Sequence, residues 1–123
     1  LYANYPLLFI TCPIEQDINL TISQINTHKI RGANVDMSAE DNDLLREAVS
    51  IAPASNQSYR HGYVTLPRTD NAILAIFSIT VVMQVLSLKM SQNKMDLLNR
   101  LEIDAHGVHP DVPKNVSKSI TVD

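Results

Sequence analysis

From Ala72 to Leu88 the chain runs for seventeen residues without a formal charge, AILAIFSITVVMQVLSL. No other stretch constrains the fold as much, because so apolar a helix has to be covered on most of its surface. A bilayer takes about 20 consecutive apolar residues. Here Ser78, Thr80, Gln84 and Ser87 interrupt the run, and no hydrophobic extension follows. The expectation is therefore a soluble helix, buried in a core or a subunit interface, with no membrane as partner. With 123 residues, 45% apolar and 19% charged, the chain has the composition of one compact globular domain.

The segments before it alternate in type. Pro6 to Thr11, PLLFIT, is a short continuous apolar run closed by Cys12-Pro13, as in a buried parallel strand. In IEQDINLTISQINTHKIRG, Ile14, Ile18, Ile22, Ile25 and Ile30 recur at helical spacing. Glu15 and Asp17 open that helix, Lys29 and Arg31 close it, and Gly32 stops it. Ala33 to Met37 reads as a second strand. Ser38, with Asp41 three residues on, reads as the cap of a short helix over 40–49. Residues 51–61, rich in Pro, Ser and Asn, read as a surface loop, and 62–66 as a third strand closed by Pro67. Asp70 or Asn71 can cap the long helix, and 94–101 continues as a more polar helical piece. Such alternation predicts a parallel α/β sheet. Three strands are few for one, so the chain is expected to be part of a larger α/β domain.

Several function classes are set aside early. A net charge of −3 and a pI near 5.7 give no footprint for nucleic acid. Three glycines are too few for a glycine-rich phosphate loop. Cys12 is the only cysteine, which excludes an internal disulfide, suits a reducing compartment and reads as a small buried thiol. His28 and His61 read as surface residues at element ends. His106 and His109 are spaced to share a cation, but Gly107 and Pro110 place them in a loop without further ligands, so no metal is expected. Asn19, Asn56 and Asn115 each begin an N-x-S/T triplet, which matters only in a secreted protein.

The last thirteen residues, DVPKNVSKSITVD, resemble the carboxyl terminus of the glutamine–fructose-6-phosphate aminotransferase family, which typically ends D-x-P-R-N-L-A-K-S-V-T-V-E. Asp111, Pro113, Asn115, Lys118, Ser119, Thr121 and Val122 match outright. PLLFIT resembles a strand of that family's second sugar-isomerase (SIS) domain. TISQINTHKIRGANV resembles its N-x-x-E-V-x-A-R-G-G helix and turn. VTLPRTDNAILAIFSITVVMQVLSL is similar to its proline-containing segment ending V-P-L-Q-L-L, with Pro67 and Gln84 in matching places. Two departures stand out: 90–108 is longer than the family's link to the tail, and Lys114 replaces an arginine, a poor exchange for bidentate anion contacts.

The resemblance implies an α/β chain forming part of an SIS-type parallel-sheet sandwich with helices on both faces. Residues 1–110 would be the carboxyl-terminal portion of an SIS domain, and 111–123 an active-site tail. It implies a cytoplasmic transaminase of hexosamine biosynthesis that makes glucosamine 6-phosphate from fructose 6-phosphate and glutamine. No cofactor is implied; the partners are a sugar phosphate, an upstream glutaminase domain and first SIS domain, and a second copy of the protein. Lys118 would be the catalytic amine at the sugar carbonyl, flanked by Ser117 and Ser119 as sugar-binding residues. The family's glutamate base, its ring-opening histidine and its phosphate loop precede the matched segment, so this chain alone would be inactive. An SIS-fold regulator or isomerase without glutaminase activity is the alternative.

Overall fold

The computed structural model describes residues 3–101. The tail from 102 onward, with Lys118, its flanking serines, His106 and His109, lies outside them. Six elements follow in order: β1 (Pro6–Ile10), α1 (Glu15–Ile30), β2 (Asn34–Glu40), α2 (Asp43–Ser50), β3 (His61–Leu66) and α3 (Ala72–Arg100). The strands form one parallel sheet in the order β1-β2-β3. Leu8 lies level with Asp36 and Gly62, and Ile10 with Ser38 and Val64. The alternation of strand and helix thus yields the expected α/β architecture.

Alternation along the strands divides the side chains between two faces. Val35, Met37 and Ala39 of β2 pack with Ile25 of α1 and with Leu45, Ala48 and Val49 of α2, while Phe9, Ile18, Ile22, Tyr59 and Tyr63 close the rim. This is the main core, and both connecting helices serve it. On the other face Leu8, Ile10 and Val64 remain 38–50% exposed. Ser38 stands between Ile10 and Val64, fully buried, and its hydroxyl has no hydrogen-bond partner among the described residues.

Local chemistry sets the element ends. Gly32 takes φ +100° after α1, a backbone region open to glycine, and its N–H donates to the Lys29 carbonyl. Asn42, not Ser38, caps α2: its side chain accepts from the Leu45 N–H at 3.0 Å. Ser38 stays in the strand because β2 runs on to Glu40, three residues beyond the sequence expectation. Ala39 packs into the core, so burial outweighs the local capping preference. Asn71 caps α3, its Oδ1 accepting from the N–H groups of Ile73 and Leu74.

The described chain divides into two compact units, one ending at Thr80 and one starting at Val81. α3 begins in the first and continues through the second as one helix of 29 residues, with no break before the polar piece at 94. Here the expectation needs correction. Ala75 is the only buried residue of α3 among those described; Ile73, Leu74, Ile76, Phe77, Val81, Val85 and Leu88 are 46–68% exposed. The helix is apolar enough to demand a cover, but the chain's own core does not supply one.

Candidate functional site

In open parallel sheets, ligands bind in crevices outside the carboxyl ends of the strands. At that end of β1 and β2 lies a crevice of about 210 Å³, lined by Thr11, Cys12, Glu40, Asp41, Asn42, Arg68 and Asp70 among others. Strand geometry places the set. β1 ends just before Thr11, β2 ends at Glu40, Asn42 starts α2, and the link from β3 to α3 carries Arg68 and Asp70.

Glu40 organises the crevice. It is 6% exposed, and its carboxylate accepts from the Thr69 N–H at 2.9 Å, the Thr69 hydroxyl and the Asp70 N–H at 3.0 Å. Burial by itself would raise the pKa of this carboxyl. The Thr69 and Asp70 hydrogen bonds, with the nearby Arg68 charge, outweigh that and hold it below the usual range. The same bonds fix Asp70 at φ +50°, a left-handed conformation that aspartate tolerates. Asp70 also pairs with Arg68 at 3.0 Å on the surface, and Asp41 pairs with Arg46, whose guanidinium reaches the Thr65 hydroxyl and lies 4.4 Å from the Tyr63 ring centroid.

Each carboxylate of this crevice therefore has a partner, and none is placed as a free general base. Thr11 is 6% exposed, and its hydroxyl is the one side-chain polar atom lining the crevice that is buried without a hydrogen-bond partner among the described residues. Cys12 is half-buried rather than enclosed, because it follows the strand at the crevice wall.

A second cationic group lies away from the crevice. Lys29, near the end of α1, is buried, and its ammonium donates to the carbonyls of Ala48 and Ile51. Tyr59 donates its hydroxyl to the Val49 carbonyl. Together they satisfy the carbonyls left over at the end of α2, where no glycine cap exists. Burial lowers the Lys29 pKa, and burial with the Asp36 charge pushes that of Tyr59 up to about 12. Both are structural.

The structure brings together none of the sequence-expected site residues, since Lys118, Ser117 and Ser119 lie outside the described residues. Among the described residues no group of three or more His, Cys, Asp or Glu gathers into a metal-binding cluster. His28 is not a surface residue: it is half-buried beside Phe9, with Nδ1 3.2 Å from the Tyr5 hydroxyl. Asn56 spends its side-chain N–H on Asn4, at 2.9 Å, so that triplet is engaged in the fold. Glu40 gives no local signal because it ends a strand close to two more acids, Asp41 and Asp43, and its partners lie 29 and 30 residues away. Comparison with family models, curated proteins and solved structures finds no match for this chain.

Proposed function

We propose that this chain is the carboxyl-terminal portion of an SIS-type domain in the isomerase half of a glutamine–fructose-6-phosphate aminotransferase. The carrying observation is the tail DVPKNVSKSITVD, which sets Lys118 and Ser119 in the family's terminal pattern. A parallel α/β sheet with a polar crevice at its carboxyl edge is consistent with that reading. The SIS-type sandwich, with helices on both faces and an extended tail over the sugar site, belongs to this proposal.

The chemistry suits a lysine. Its neutral amine adds to the ketose carbonyl, and water leaves to give an imine. The ammonium must first lose its proton, so the tail has to hold Lys118 where its pKa falls. The base that moves the sugar proton comes from another part of the protein. A sugar-phosphate-binding regulator without turnover is the second reading. It is favoured by one observation: every carboxylate lining the described crevice is already paired.

The test is Lys118→Arg in the intact enzyme. Arginine keeps the charge but cannot become a neutral nucleophile. Isomerisation should fall by a factor on the order of 100 or more, while glutamine hydrolysis, carried elsewhere, persists at least in part. Borohydride added with fructose 6-phosphate should trap an adduct on Lys118, located by peptide mass. Near-normal glucosamine 6-phosphate output from the arginine variant would refute the assignment; an adduct-free but fully binding protein would favour the regulator.

A further inference from the structure

We draw no further inference here: the strongest candidate, the crevice at the carboxyl ends of β1 and β2 with the buried hydroxyl of Thr11, belongs to the site already described.

Discussion

Glu40 shows how one side chain can hold a loop. Three hydrogen bonds from Thr69 and Asp70 converge on a carboxylate whose pKa burial alone would raise. Its folded pKa is therefore below its unfolded value of 4.5. The sign of the linkage follows: the stabilisation is present in full above pH 4.5 and is lost as the pH falls through the folded pKa. Glu40→Gln loses the charge and leaves the Thr69 and Asp70 donors poorly matched, which should cost about 1–3 kcal/mol at neutral pH. Thermal melts of wild type and variant should converge as the solution is acidified below pH 4.5. A gap that stays constant down to strongly acid pH would show that the carboxylate charge does not hold the loop. Lys29 carries a related demand at the other end of α2. Lys29→Met keeps the apolar stem but orphans the carbonyls of Ala48 and Ile51, and should cost about 1–3 kcal/mol in urea unfolding. A neutral result would mean that water replaces the ammonium there.

At the scale of elements, short-range chemistry and long-range packing divide the outcome. α1 was legible from the spacing of Ile18, Ile22 and Ile25, its acidic first turn and Gly32, whereas Ile14 and Ile30, expected on the same face, are exposed. Gly32→Ala should cost about 1–2 kcal/mol, the price of a left-handed backbone with a Cβ. The space is open, with the nearest atom 3.8 Å away, so a larger loss measured by denaturation would point to a contact rather than to φ. The β2–α2 boundary was not legible. Ser38 with Asp41 looks like a helix start, and the pairing of Ser38–Glu40 with Val64–Leu66, with Ala39 in the core, keeps the strand going. The crevice was equally hidden, since Thr11, Glu40 and Asp70 come from three separate stretches of the chain. What the sequence carried for function sits in the tail, a pattern read by resemblance rather than by geometry.

For the whole molecule, the decisive imbalance is between apolar surface made and apolar surface covered. One face of the sheet has a filled core, while Leu8, Ile10 and Val64 on the other face and the outward residues of α3 stay in contact with water. Each half-exposed side chain forgoes on the order of 1 kcal/mol that burial would contribute. A dozen such residues rival the whole stability of an ordinary domain, about 5–15 kcal/mol. Large exposed apolar patches mark an interaction site or an aggregation hazard. The folded chain should therefore draw its stability from association, and mass action gives that a signature. The melting temperature of the full-length chain should rise with protein concentration, and on dilution the chain should bind a hydrophobic dye such as ANS before it unfolds. Phe77→Glu should abolish the concentration dependence without steepening the melt. A dilute monomer with a sharp, concentration-independent two-state melt would show that the chain covers its own apolar helix and stands alone.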